Sequence, residues 1–283
     1  MMPAAPTTIA SAHEKEAALV AWLRARGRVA IGFSGGVDSA YLACVAVDAL
    51  GSENVLAIIG RSASYPAAQW AAARGVADRF GIPVLEIDTH EMEDPRYAEN
   101  PSNRCYFCKT ELWSLLVPAA RERGIDVVVD GTNADDVRGH RPGAVAAGEH
   151  HVDSPLLLAG LTKAEIRALS QARGIPTWAQ PSSPCLSSRI PYGIAVTATR
   201  LATIERAEAA LRELGIGGDL RVRYHDDLAR VELGGAELER WLEPDASHRL
   251  ADAVRGAGFE RVAIDLRGFR SGSLNVLTGV SAA

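Results

Sequence analysis

Two groups of residues in this 283-residue chain have the types and spacing to do chemistry. The first is Ser34-Gly35-Gly36-Val37-Asp38-Ser39, set between a short apolar run, Arg28 to Phe33, and a helical pattern from Asp38 to Leu50. Glycines let the backbone approach an anion, and the free N–H groups at a helix start point at it. The hexapeptide reads as a phosphate loop for a nucleotide, in which Asp38 beside a phosphate calls for a bridging Mg²⁺. No Gly-Lys-Ser/Thr follows, so it is not a Walker loop and brings no lysine of its own to a β/γ-phosphate. Out of this context a Ser-Gly-Gly turn is an ordinary helix entry, with Asp38 and Ser39 complementing the dipole.

The second group is Cys105 and Cys108, a C-x-x-C between Arg104 and Lys109 at the start of a helix expected over about Lys109 to Arg123. The helix dipole and two adjacent cations favour thiolates, the ligands of zinc and of iron–sulfur clusters. A third cysteine, Cys185, sits far downstream in the proline-bounded loop Pro181 to Arg189. Two close cysteines and a remote one suit a [4Fe–4S] cluster on three thiolates, with one iron left open. A redox disulfide, a zinc site lacking its fourth ligand, and inert buried cysteines are the competing readings. Cys44 follows Leu42 and Ala43 on an apolar helix face and reads as a packed thiol.

The elements that must position these groups alternate. Strands at Arg28–Phe33, Val55–Ile59, Pro83–Ile87 and Val127–Val129 are separated by helical stretches, which implies an α/β fold built on a Rossmann-like parallel sheet. Ligands of such sheets bind beyond the carboxyl ends of the strands, where Asn133, Asp135 and Asp136 also fall. Thr162 and Glu165 form a capping-box pattern opening a helix that runs to about Arg173. From Thr197 the texture changes to a helix through Leu201, Ile204, Leu211 and Leu214, two alternating strands at Leu220–Tyr224 and Ala229–Leu233, a helix at about Pro244–Ala257 and a strand at Val262–Leu266. The domain reading is therefore 1–195, a smaller α+β domain over 196–275, and a tail over 276–283. About 150 residues per domain agrees with two.

Composition is that of a globular protein, 47% hydrophobic and 23% charged. Thirty Lys and Arg against thirty-five Asp and Glu leave −5, no field for sequence-blind binding to nucleic acid or an anionic membrane. The N-terminal stretch lacks a basic-then-apolar leader pattern and no run of about 18 apolar residues occurs, so a cytoplasmic protein without a membrane partner is expected.

Ser34 to Ser39, SGGVDS, resembles the PP-loop of ATP pyrophosphatases, which cleave ATP between the α- and β-phosphates and adenylate a carboxylate or carbonyl oxygen. DGTNADD (Asp130–Asp136), PCLSSRIPYG (Pro184–Gly193), RVRYHDDLARVEL (Arg221–Leu233) and DLRGFRSG (Asp265–Gly272) are similar to the LarE family, the ATP-dependent sulfur transferases of nickel-pincer nucleotide biosynthesis. The resemblance implies ATP on Ser34, Gly35, Gly36, Val37, Asp38, Ser39 and Asn133, with Mg²⁺ on Asp38. It implies as substrate the small molecule pyridinium-3,5-biscarboxylic acid mononucleotide, turned into a bisthiocarboxylate, and a homohexamer. In one branch of the family the loop cysteine, here Cys185, gives up its own sulfur and becomes dehydroalanine. The Cys105/Cys108 pair departs from that branch and resembles the iron–sulfur branch, where Cys105, Cys108 and Cys185 would hold a [4Fe–4S] cluster carrying a sulfide. Arg221 and Arg223, i and i+2 on one strand face, would form a fork for the substrate's phosphate or free carboxylate, against the alternative of a solvated face with an ordinary salt bridge. Glu208 would orient an arginine, and Ser188, Arg189 and Lys109 would support a developing oxyanion. A PP-loop tRNA thiolase and a non-catalytic metal sensor are the other classes; the former wants a basic RNA-binding surface that the charge balance does not supply.

Overall fold

A computed structural model describes residues 7–137 and 142–270. The elements run α1 (Thr7–Arg26), β1 (Val29–Gly32), α2 (Val37–Leu50), β2 (Val55–Arg61), α3 (Ala67–Phe80), β3 (Val84–Asp88), α4 (Pro95–Ala98), α5 (Arg104–Arg121), β4 (Val128–Val129), α6 (Pro142–Glu149), α7 (Pro155–Leu158) and α8 (Lys163–Ala172). They continue with α9 (Ala198–Glu213), β5 (Leu220–His225), β6 (Leu228–Leu233), α10 (Gly235–Trp241), α11 (Pro244–Gly256) and β7 (Arg261–Ile264). The described residues fall into two compact units, one within Met1–Ser62, Ala67–His90 and Cys105–Ser182, the other within Ala63–Pro66, Glu91–Arg104 and Ser183–Ala283. The tail expected over 276–283, and Ser271 and Gly272 of the DLRGFRSG segment, lie outside the described residues.

The first unit is the expected α/β fold. Its four strands are parallel in the order β3-β2-β1-β4, with Val29 opposite Val55, Ala57 opposite Val84 and Ala30 opposite Val128. Val29, Ala30 and Ile31 are buried, which is why β1 is a continuous apolar run rather than an alternating one. The strand order reverses beside β1, so the crevice beyond its carboxyl end is the switch point at which such sheets take ligands. The chain leaves β1 there, makes the Ser34–Gly36 turn and enters α2, whose residues from Ala40 to Ala46 are all buried. The Thr162 capping box forms as expected: Thr162 Oγ1 accepts from the Glu165 amide while the Glu165 carboxylate accepts from the Thr162 amide.

Helix α5 starts at Arg104, five residues before the expected start, so both cysteines of the pair lie in its first turn. The sequence reading also passed over α4, α6, α7 and α10, which have only 4, 8, 4 and 7 residues. Such lengths give no readable period, although Asp94-Pro95 is a clear start signal in retrospect: the Asp94 carboxylate accepts from the Arg96 amide.

In the second unit β5 and β6 form an antiparallel hairpin, Leu220 opposite Leu233, and β7 adds to β6 in parallel. Helices α9 and α11 cover this sheet, and Leu201, Ile204, Leu211, Val222, Val231, Leu250 and Val254 close its core. No helix among the described residues is long and apolar enough to cross a membrane.

Candidate functional site

The phosphate loop of the first unit is locked by its own small residues. Gly35 has φ +69, and a Cβ there would fall 2.4 Å from the Ala73 Cβ, so both backbone and space demand glycine. Ser39 Oγ accepts from the Ser34 amide at 3.3 Å, donates to the Gly36 carbonyl at 3.2 Å, and lies 3.2 Å from Ser34 Oγ. Gln69, buried at the start of α3, donates from Nε2 to the Ser34 carbonyl at 2.9 Å. Sequence reasoning missed Gln69, because its position in an Ala-rich helix carries no signal.

Asp38 stands at the meeting point of three segments. Its Oδ1 accepts from Asn133 Nδ2 at 3.3 Å and its Oδ2 pairs with Lys163 Nζ. Asn133 is held in turn: its amide donates to Asp136 at 3.1 Å and its Oδ1 accepts from the Asp135 amide at 2.9 Å. Asp135 also accepts from the Lys163 amide at 2.8 Å. The Asn133–Asp136 turn and the start of α8 thus deliver an amide and an ammonium to the loop's aspartate. The loop carries no lysine of its own, as the sequence indicates, but Lys163 reaches its aspartate from another segment. The fold supplies that cation from the first helical position after a capping threonine.

Among the described residues the four cysteines make no disulfide. Cys44 is 3% exposed, and burial, with Asp48 nearby, pushes its thiol up to about 12. Cys105 is exposed and Cys108 half-buried, i and i+3 on the first turn of α5. Alkylation of the native protein at pH 8 is therefore expected to modify Cys105 and to spare Cys44 until denaturant is added; peptide masses check this, and early loss of Cys44 thiol would contradict the packed reading. No group of three or more His, Cys, Asp or Glu side chains able to hold a metal occurs among the described residues. Cys105 and Cys108 lie close together on α5 in the first unit, and Cys185, itself half-buried, lies in the second.

In the second unit the Cys185 loop is gripped through its carbonyls by three buried arginines. Arg189, 1% exposed, donates to the Pro184 carbonyl at 2.6 Å and the Cys185 carbonyl at 3.1 Å. Arg104 donates to the Ser187 carbonyl at 3.1 Å and Arg223 to the Ser188 carbonyl at 2.9 Å. The Leu186 amide donates to the Ser64 carbonyl at 2.8 Å, and Tyr97 Oη lies 2.6 Å from Ser187 Oγ. Cys185 therefore enters the 3-10 turn Leu186–Arg189 on a backbone with little freedom. Tyr97 and Ser64 come from segments with no motif, and Arg104, read only as a cation beside the cysteine pair, carries no signal of this contact.

The carboxylates are matched to these cations. Glu208 takes Arg189 in a fork, Nε and Nη2 at 2.9 and 3.0 Å, and accepts from the Val222 amide at 3.0 Å. Glu232 takes Arg223 at 2.8 and 3.0 Å. The β5 face carrying Arg221 and Arg223 is not a solvated one: the two residues are 4% and 5% exposed. Arg221 lies 5.0 Å from the Phe269 ring, and burial, then the Arg189 charge beside it, pushes its guanidinium down to about 10. Burial is the larger cause, and the neighbouring cations add to it. Ser188 Oγ lies 3.1 Å from the Arg189 guanidinium, while Lys109 stands on α5 in the first unit.

Residues 18–103 match the family model for NAD synthase. The chain is also 34% identical to the pyridinium-3,5-bisthiocarboxylic acid mononucleotide synthase of Lactiplantibacillus plantarum, over 94% of this chain and 96% of that one. The chain belongs to the LarE family. Membership accounts for the parallel sheet with a phosphate loop at its switch point and makes the protein an enzyme of the ATP-using PP-loop class. A LarE-type likeness thus spans both units. An uncharacterized protein of Synechocystis sp. is 43% identical over 89% of this chain and 93% of its own length. By contrast, the tRNA-specific 2-thiouridylase of Thermus thermophilus is 30% identical and matches only 55% of this chain and 53% of its own.

Proposed function

We propose that this LarE-family enzyme is an ATP-dependent sulfur transferase that adenylates the carboxylates of pyridinium-3,5-biscarboxylic acid mononucleotide and converts them to thiocarboxylates for the nickel-pincer nucleotide cofactor. The observation that carries the reading is the likeness to the Lactiplantibacillus plantarum synthase over 94% of this chain.

A carboxylate is a poor electrophile because its oxygen leaves badly, and AMP transfer makes that oxygen a good leaving group. In the first step a substrate carboxylate oxygen attacks the α-phosphorus and the bond to the β-phosphate oxygen breaks, releasing pyrophosphate. The amides of Ser34 to Ser39 cradle the phosphates; Asp38 holds the Mg²⁺ that arrives with ATP, Asn133 orients Asp38, and Lys163 offsets the charge of the departing pyrophosphate. In the second step sulfur attacks the acyl carbon, the tetrahedral oxyanion is met by Ser188, Arg189 and Lys109, and AMP leaves. Arg221 and Arg223 bind the substrate's phosphate or free carboxylate, with Glu208 and Glu232 holding Arg189 and Arg223 in place.

Cys105, Cys108 and Cys185 would hold a [4Fe–4S] cluster, which when bound supplies an open iron that carries a transferable sulfide. The pair on α5 supports this reading over sacrifice of the Cys185 sulfur, since a single-use donor has no need of two further paired thiols. We further propose that the enzyme is cytoplasmic, without a nucleic-acid or membrane partner, and, on the family resemblance, a homohexamer.

Pyrophosphate release tests the acceptor. It is expected with ATP, Mg²⁺ and the biscarboxylate nucleotide, and not with tRNA or without acceptor. Release with tRNA alone would replace this reading by a tRNA thiolase, and no release with either acceptor would replace it by a nucleotide-binding role without turnover.

A further inference from the structure

Helix α5 crosses the sheet where two strands lack side chains. A Cβ on Gly32, the last residue of β1, would fall 2.6 Å from Cη2 and 2.9 Å from Cζ3 of Trp113. A Cβ on Gly60 of β2 would fall 2.5 Å from Cδ1 of Leu112. Atoms do not approach so closely without displacement, so the indole tip and Leu112 occupy room that only these glycines leave. Along the same helix a Cβ on Gly143 of α6 would lie 3.1 Å from Lys109 Cγ, and Tyr106 Oη donates to Glu149 of α6 at 2.8 Å.

Trp113 is 1% exposed, and its Nε1 has no hydrogen-bond partner among the described residues. The ring is therefore not held there by its N–H. What it does touch is informative: its tip meets β1 two residues before Ser34, and Lys109 Nζ stands 5.2 Å from its centroid. Lys109 is one turn back on α5 (i−4) and adjacent to Cys108, so one rigid side chain connects the strand that ends in the phosphate loop to the turn that bears the cysteine pair.

We propose that Trp113, seated on Gly32, is a positioning residue that fixes the Lys109 ammonium and the Cys105–Cys108 turn against the phosphate loop. Its kinetic consequence rests on the sulfur-transfer reading above; its geometry does not.

The experiment uses the full-length protein and reads Lys109 directly. Acetylation of Lys109 by acetic anhydride, followed by peptide mass and normalised to the N-terminal amine, is expected to rise about two- to fivefold in Trp113→Leu and less in Trp113→Phe, because the π face that shields the ammonium is lost or reduced. Thiocarboxylate formation in Trp113→Leu is expected to lose about tenfold in kcat with the KM for ATP unchanged, and to lose nothing further in a Lys109→Ala background. Gly32→Ala is expected to lose activity that Gly32→Ala/Trp113→Phe recovers, since the shorter ring vacates the space of the new Cβ; this pair carries the test should Trp113→Leu not fold. Unchanged Lys109 acetylation in Trp113→Leu, or a double variant no better than Gly32→Ala, overturns the proposal. A wild-type enzyme that forms no thiocarboxylate overturns the sulfur-transfer reading instead, and the acetylation result still decides the role of Trp113.

Discussion

Asp38→Ala is expected to lower pyrophosphate release at saturating ATP by about 10²–10³-fold, the usual loss when one preorganised charge is taken from a site where charge develops. The reason lies in what meets at this carboxylate. Asn133 and Lys163 reach it from segments far away in sequence, so its removal leaves an amide and an ammonium without their partner and, on the proposed mechanism, the metal of MgATP without its protein ligand. Stability should change little, because the Lys163–Asp38 pair is partly exposed, 35% and 21%, and such pairs contribute about 0–1 kcal/mol. Lys163→Met is expected to raise the KM for ATP and lower kcat as well, and the two substitutions together should cost less than the sum of their separate effects, as coupled neighbours do. Steady-state pyrophosphate release with a melting curve for each variant checks this. A full additive loss, or a large fall in melting temperature that tracks the loss of activity, would mean that the cluster is structural.

Cys185→Ser is expected to abolish thiocarboxylate formation while pyrophosphate release stays within a fewfold of wild type. The two half-reactions draw on different residues. Adenylation, as proposed, uses the phosphate loop of the first unit, whereas Cys185 sits in the second unit on a loop tied by Arg104, Arg189 and Arg223. Serine keeps the size and the backbone of that loop and removes only the sulfur. Cys105→Ser and Cys108→Ser separate the two sulfur sources. If three thiolates share a cluster, each variant loses bound iron and product together. If Cys185 alone is consumed, both variants still make one equivalent of product. Product and adenylate measured side by side on the same enzyme decide it.

Much of the fold was legible because local signals agreed. Val29 to Ile31 is apolar without alternation because β1 is covered on both faces, and Thr162 with Glu165 announced a capping box that the structure forms atom for atom. The phosphate loop was legible for the same reason: strand, glycine turn and helix start are contiguous, so one short segment contains the whole device. Lys163 was not, because the contact that makes it a loop residue depends on where α8 lands, and nothing in Thr162-Lys163-Ala164 specifies that. The arginine pair on β5 was seen as a pair, yet its burial was not, since alternation shows which residues share a face but not what covers it. The tie from Arg104 to the Cys185 loop is still less readable, joining two segments whose sequences share no period or motif. Trp113 on Gly32 is legible only in space: a glycine at the end of an apolar strand looks like the start of a turn until the indole is seen filling the absent Cβ.

In the proposed reaction sulfur moves onto an adenylated carboxylate without consuming the enzyme. Its most direct test is the peptide mass spectrum of anaerobically purified, iron-assayed protein after turnover with ATP, Mg²⁺, a sulfide source and the biscarboxylate nucleotide. Bound iron, more than one equivalent of thiocarboxylate per chain, and a Cys185 peptide of unchanged mass are expected. Dehydroalanine at position 185 with no more than one equivalent of product would contradict it and make Cys185 a sulfur donor spent in a single reaction.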